Sequence, residues 1–330
     1  MRLARFVAFR LIGILVVLLV IAVATFAIFY FLPSDAARLA CGRPCSESDL
    51  ERIREYMGVD QPWFVQLGEF LRGIVAGRSF GTGGSTVCDA PCFGYSFRLN
   101  QPVTDLIAAR FPATASIAVG GAVLFLVVGV ASGLIASLKR NSLVDRGIML
   151  FSITGVSTPV YLAGIVAILV FGFWLRVLPV SGYVPFDDSP AEWLRRLVLP
   201  WIAIAFVYAA VYARLTRGEM LEVMGQDYIR TARAKGLRES RVVARHGLRT
   251  ALLPVVTVFG LDLGALLGGA VIVERVFAIP GMGSLLIESV SFVDVQAIVG
   301  LTLFAAFLVV GLNFVVDLVY GILDPRVRVG

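Results

Sequence analysis

The sequence predicts an all-α membrane protein of six transmembrane helices, and three observations carry that prediction. Of the 330 residues, 58% are hydrophobic and only 16% charged, below the roughly one quarter charged that soluble domains carry. The mean hydropathy is +0.87. Uncharged or nearly uncharged runs, long enough for a helix to cross the hydrocarbon core, recur along the chain between short charged segments. Length alone would suggest two soluble domains, but the apolar runs overrule that count.

The first run, Leu11 to Leu32, follows Arg2, Arg5 and Arg10 and is uncharged for 22 residues. That is too long for the apolar region of a signal peptide, and no small-residue cleavage site interrupts it, so residues 1–32 read as a stub plus a retained first span. Residues 33–110 are polar enough to fold in water as a small subdomain. Within them Glu47 to Val75 has helical periodicity, capped by Ser46 or Ser48, with Ile53, Tyr56 and Met57 as an apolar stripe. Gly81 to Ser85 reads as a loop. The core, 111–330, supplies five more spans: Phe111 to Leu138, Gly147 to Leu175, Leu197 to Ala213, Leu252 to Val273 and Ala297 to Leu323. The fourth is short and must use its flanks. The fifth and sixth each carry one acid, Asp262 and Asp317.

Orientation follows from arginine and lysine. With the N-terminus inside, the inner segments hold 17 basic residues and six acids, and the outer segments 12 basic residues and 15 acids. Nine of the basic residues lie in one loop, Arg214 to Arg249, which the opposite orientation would place outside. Both termini are therefore expected in the cytoplasm. The net charge of +6 is spread over span flanks, which argues against a nucleic-acid partner and for the lipid bilayer.

All four cysteines fall in the outer subdomain, as Cys41 and Cys45 and as Cys88 and Cys92. An even count on the oxidising face reads as two disulfides, against the alternative of a four-thiolate metal site. Three connectivities are open. Bridges between the two pieces close the longer loop and are preferred on chain entropy.

Several chemistries are excluded. No Gly-Lys step exists, so there is no phosphate-cradling loop of the G-x-x-x-x-G-K-[ST] type. The single histidine, His246, lies in the basic loop, away from any intramembrane nucleophile, and a His-based zinc site lacks ligands. The chain is not expected to be an enzyme or to bind a cofactor or metal.

The informative segment is Gly225 to Thr257. Gln226 to Ala234 predicts a short helix with Tyr228, Ile229 and Ala232 on one side and Arg230 and Arg233 on the other, ended by Gly236 in a left-handed conformation. A second basic helix then leads into the fifth span, which begins near Pro254. A short two-sided helix at the membrane surface suits the groove of another protein, though a plain amphipathic surface helix has the same pattern.

This segment resembles the cytoplasmic coupling loop of ABC importer permeases, the binding-protein-dependent transport family. Aligned on Gly236, the chain has Arg230-Thr231-Ala232 where the general signature has E-A-A, and Leu253-Pro254 follow later than usual. The form YIRTARAKGL is similar to the dipeptide and oligopeptide permease branch. YMGVDQP (Tyr56 to Pro62), QPVTDLIAARFPAT (Gln101 to Thr114), VERVFAIPGMG (Val273 to Gly283) and Asp324-Pro325-Arg326 resemble other stretches of that branch. The cysteine-bearing pieces look like additions to it.

The resemblance implies a type I ABC importer permease fold in the plasma (inner) membrane and one half of a permease heterodimer. It also implies two cytoplasmic ATPase subunits that use ATP and Mg, and an extracytoplasmic binding protein. Coupling to the ATPases would fall on Gly225, Asp227, Tyr228, Ile229, Ala232 and Gly236 within the loop 214–250. Contact with the binding protein would fall on Phe277, Pro280, Gly281 and Gly283. The implied cargo is short peptides, with nickel, haem or glutathione as alternatives. A secondary transporter would instead show charge along a pathway or inverted repeats, and a non-transporting receptor would not explain the loop. Asp262 and Asp317 are candidates for the translocation path, because an acid inside a span is retained for a function or a partner.

Overall fold

The structure, a computed structural model, describes residues 2–31, 46–48, 50–51, 54, 61–80 and 86–323. Cys41, Cys45, Ile53, Tyr56, Met57 and the 81–85 loop lie outside them. Helix α1 is Arg2–Phe31 and α2 is Trp63–Ala76. Two small antiparallel hairpins follow: β1 (Arg78–Phe80) with β2 (Thr86–Cys88), and β3 (Tyr95–Ser96) with β4 (Gln101–Pro102). The remaining helices are α3 (Val103–Leu138), α4 (Leu143–Ser157), α5 (Val160–Ala167, continued by π-helical turns Ile168–Trp174) and α6 (Pro190–Met224). After them come α7 (Asp227–Ala234), α8 (Glu239–Gly268), α9 (Val271–Val276), α10 (Met282–Ser291) and α11 (Val295–Leu323).

Five of these helices, α1, α3, α6, α8 and α11, are long and apolar enough to cross a membrane, and α4 with α5 makes a sixth if that bent pair is one span. The third expected span, Gly147 to Leu175, falls on that bent pair. Its two halves meet at 105°, because Thr158 and Pro159 are both extended and a proline disfavours helical geometry in the residue before it.

Three other boundaries differ from expectation. The helix expected from Glu47 to Val75 cannot be continuous, since Pro62 is extended and α2 starts after it. The fourth span is far longer than Leu197 to Ala213. Ser189 accepts a hydrogen bond from the Glu192 N–H, Pro190 opens the helix, and Glu192 pairs with Arg195 and Arg196, so polar residues extend α6 toward its start. The fifth span and the basic helix that leads into it are continuous, with no break at Pro254. Helix α8 runs from Glu239 through π-helical turns at Val242–Leu248 and through Pro254, then stops at Gly269, whose φ of +138° L-residues rarely adopt.

The chain divides into two compact units, one of 1–114 with 280–311 and the other of 115–279 with 312–330. In the first, Ala22 and Phe26 of α1 pack with Leu67 and Phe70 of α2 and with Val299 and Leu303 of α11. The Phe26 and Phe70 rings meet edge-on at 5.4 Å, a geometry worth about 0.5–1.5 kcal/mol beyond area burial. A second cluster joins Val103, Leu106 and Ile107 of α3 to Met282 and Leu285 of α10 and Ala297 and Leu301 of α11. Residues 63–110 therefore share their core with membrane helices. Cys88 is bonded to Cys92, so bridges from these two cysteines to the Cys41 piece are ruled out. The short ring is fixed by packing, with Phe80, Cys88, Cys92 and Tyr95 forming one buried cluster.

In the second unit, helix packing rests on small residues. Lipid tails are as apolar as side chains, so close van der Waals fit replaces the hydrophobic gain of a soluble core. A Cβ at Gly155 of α4 would lie 2.5 Å from Ala210 Cβ of α6, and one at Gly129 of α3 would lie 2.5 Å from Tyr212 Cβ. Ser152 of α4 donates to the Ala210 carbonyl at 2.6 Å across the same contact.

Candidate functional site

Helix α7 sits between α6 and α8, and its amphipathic pattern sets its orientation. Ile229 is fully buried and Ala232 nearly so, against Val242 with Met224 and Leu237 beside them. These two residues are therefore not a free docking face, which corrects the expected surface of Tyr228, Ile229 and Ala232. They anchor the helix to its own chain. What faces outward is Asp227, with its side chain 95% exposed, together with Tyr228, Arg230 and Arg233. The Tyr228 hydroxyl donates to the His246 carbonyl at 3.4 Å.

The end of α7 is built for a sharp reversal. Gly236 has φ +76°, its N–H donates to the Arg233 carbonyl at 2.9 Å, and the Leu237 N–H donates to the Ala232 carbonyl at 3.4 Å. That pattern is the left-handed helix cap expected from the sequence. Arg233 then holds both oxygens of Glu239 at 2.7 and 3.1 Å, tying α7 to the first turn of α8. Hydrogen bonding to that carboxylate raises the Arg233 pKa further above its ordinary value, so the guanidinium stays charged. Gly225, by contrast, ends α6 at φ −81°, a conformation open to any residue.

A second ion pair, unexpected from the sequence, lies at the start of α4. Arg217 of α6 binds Asp145 through two hydrogen bonds of 2.6 and 2.8 Å, and the Asn141 N–H donates to the same carboxylate at 2.9 Å. Ser142 caps α4 by accepting from the Asp145 N–H at 3.2 Å. The available signal was a lone acid in a basic inter-span loop, Lys139 to Arg146.

Within the spans, Asp262 of α8 accepts a hydrogen bond from the Tyr212 hydroxyl of α6 at 2.8 Å. Tyr212 is fully buried, and Phe125 of α3 packs 4.8 Å from its ring and 5.1 Å from that of Tyr208. The sequence pointed to Asp262 but not to these three aromatics, which look like ordinary span residues. The side chain of Asp317 lies outside the described residues.

The group Phe277, Pro280, Gly281 and Gly283 is not a common exposed surface. Phe277 is 2% exposed, and its carbonyl accepts from the Gly182 N–H at 2.9 Å. Gly281 and Gly283 are buried at the start of α10, and only Pro280 is exposed. Direct contact through Phe277 is thus corrected, because its ring is packed inside its own unit.

Residues 126–329 match the family described as "Binding-protein-dependent transport system inner membrane component", and residues 3–118 match the N-terminal region of that group of membrane components. The sequence is 42% identical to a "putative peptide transport system permease protein" of Brucella abortus (strain 2308), over 94% of this chain and 95% of that one. It is 36% identical to the glutathione transport system permease protein GsiC of Escherichia coli (strain K12), over 98% and 99% of the two chains. Among solved structures, the inward-facing MetNI methionine ABC transporter aligns with a TM-score of 0.53 at 18% identity, over 67% of this chain and 97% of that one.

Proposed function

Because the chain belongs to the family of inner membrane components of binding-protein-dependent transport systems, we propose that it forms half of the translocation pathway of an ATP-driven importer for short peptides. A second, related permease supplies the other half. Of two ATP-binding subunits in the cytoplasm, one docks on the 225–248 segment of this chain, and an extracytoplasmic binding protein delivers the cargo. ATP and Mg are used by those partners, and both termini of this chain are cytoplasmic.

One observation carries this reading: α7 is anchored from within and charged without. Ile229 and Ala232 fix it against Val242, Arg233 ties it to Glu239, and Asp227, Tyr228 and Arg230 remain outward. A helix held in that way transmits force. A push on its outer face passes through Met224 into α6 and through Val242 into α8, the two span helices it joins. The names of the relatives support peptide cargo, with glutathione, itself a small peptide, as the second reading.

The test is purification of the complete complex and reconstitution in proteoliposomes. The expected result is co-purification of ATPase subunits, hydrolysis stimulated by peptide-loaded binding protein, and uptake of labelled peptide. Uptake of glutathione without other peptides would move the cargo to the second reading. Absence of any ATPase from an intact permease pair would overturn the importer mechanism.

A further inference from the structure

Asp262 lies on α8 six residues before the helix ends at Gly268, about 9 Å inside that end. Its Oδ2 accepts from Tyr212, and among the described residues no hydrogen bond reaches Oδ1. The residue is partly exposed. An ionised carboxylate at that depth, open on one side, is costly against lipid, which favours water or polar groups on the side it opens to.

The surroundings are aromatic. Phe125 stacks with Tyr208 and packs against Tyr212, and its ring lies 6.0 Å from that of Phe259. Tyr208 lies one turn before Tyr212 on α6 and Phe259 one turn before Asp262 on α8, and both rings are partly exposed like the acid. One carboxylate near two partly exposed rings, Tyr208 and Phe259, has the chemistry of a cation site of a particular kind. Ring quadrupoles and a single anion suit a monovalent organic cation. A divalent metal would need several more oxygen ligands than these residues hold. A primary ammonium has three donors, which the free carboxylate oxygen, the Tyr208 hydroxyl and pathway water satisfy together.

We propose that Asp262, with Tyr208 and Tyr212, is a station in the translocation path that takes the α-ammonium group of a passing peptide. Tyr212 is a positioning residue: it holds one carboxylate oxygen so that the other faces the path. The assignment rests on the peptide-importer reading given above.

The experiment uses the permease pair with its ATPases and no binding protein, so that selection by the binding protein does not enter. Trialanine and N-acetyl-trialanine are the probes, and affinity is read by saturation-transfer NMR. Wild type should bind trialanine about tenfold more tightly than the acetylated peptide, since acetylation removes the charge. Asp262→Asn, which keeps the oxygen that Tyr212 bonds, should weaken trialanine about tenfold and leave the acetylated peptide unchanged. Equal affinities of the two peptides in wild type would overturn the proposal without recourse to any variant. So would unchanged trialanine binding by an assembled Asp262→Asn complex, or equal losses for both peptides, which mark a merely structural acid. Uptake of trialanine by the complete wild-type importer is measured alongside. If it fails, the peptide reading falls; if it succeeds while the binding pattern is absent, only the station falls.

Discussion

At the scale of single residues, Gly236 and Asp294 are placed by different physics. Gly236 needs φ +76°, and a Cβ there would meet nothing within 4 Å, so its substitution has a purely conformational cost. Gly236→Val should destabilise the turn by about 1–2 kcal/mol, while Asn, which tolerates the left-handed region, should be nearly neutral. The measurement is ATP hydrolysis stimulated by loaded binding protein: strongly reduced for Val and near wild type for Asn, with normal subunit stoichiometry in both. Equal activity of the two variants would detach the turn from coupling. Asp294 sits in the connection before α11, where it accepts from the Ala297 N–H at 3.3 Å and from the Ser96 hydroxyl. Burial raises its pKa above the ordinary carboxylate value, outweighing those hydrogen bonds and the charge of Arg98. The folded state therefore keeps this proton to a higher pH than the unfolded chain does. Its contribution to stability is greatest below the unfolded carboxylate pKa and declines as pH rises through the folded one. Melting temperatures of the purified complex from about pH 4 to 7 should show this decline, and Asp294→Asn should flatten it. Wild-type and variant curves of the same slope would contradict the assignment.

At the scale of elements, close helix contact explains which substitutions the bundle rejects. A side chain at Gly155 would collide with Ala210 Cβ at 2.5 Å and the Phe206 carbonyl at 2.8 Å, both on α6, whereas one at Gly147 of the same helix would meet nothing within 4 Å. Gly155→Leu should cost about 1–3 kcal/mol or more through overpacking and lower the thermal stability of the complex. Gly147→Leu should leave it unchanged. The same contrast marks the limit of what the sequence discloses. Long apolar runs announced every membrane helix, and the cap at Gly236 was legible because glycine after a short amphipathic helix has a local cause. The bend at Thr158–Pro159 is not legible, because an unbroken apolar run hides a change of direction. The 35-residue length of α6 is not legible either, because polar residues held by Ser189, Pro190 and charge pairs end an apolar run without ending a helix. The inward turn of Ile229 and Ala232 depends on Val242, whose contact with them is tertiary. The partnership of Asp262 with Tyr212 spans two helices and leaves no local trace.

For the whole molecule, the bent pair α4–α5 decides the topology. If it crosses, the chain has six spans and both termini lie on one side; if it re-enters on the side it left, there are five and the termini are opposed. With an inner N-terminus, six spans put 17 basic residues inside and 12 outside, including all nine of the Arg214 to Arg249 loop on the inner side. Five spans would carry that loop across and leave ten basic residues inside against 19 outside. Arginine and lysine are retained on the cytoplasmic side during insertion, so the five-span arrangement runs against the strongest orienting signal in the chain. It would also put α7 out of reach of any cytoplasmic ATPase. The expectation is therefore that α4–α5 crosses despite its 105° bend, its halves together supplying the needed length. A green fluorescent protein fused after Gly330 should fluoresce, since it folds only in the cytoplasm, and alkaline phosphatase fused there should be inactive. Fused after Ala76 of α2, the two reporters should give the reverse result. A fusion within the 176–189 segment separates the alternatives directly: active phosphatase there means that α4–α5 has crossed. Fluorescence at that position, with active phosphatase after Gly330, would establish the five-span arrangement and remove the 225–248 segment from any role in ATP coupling.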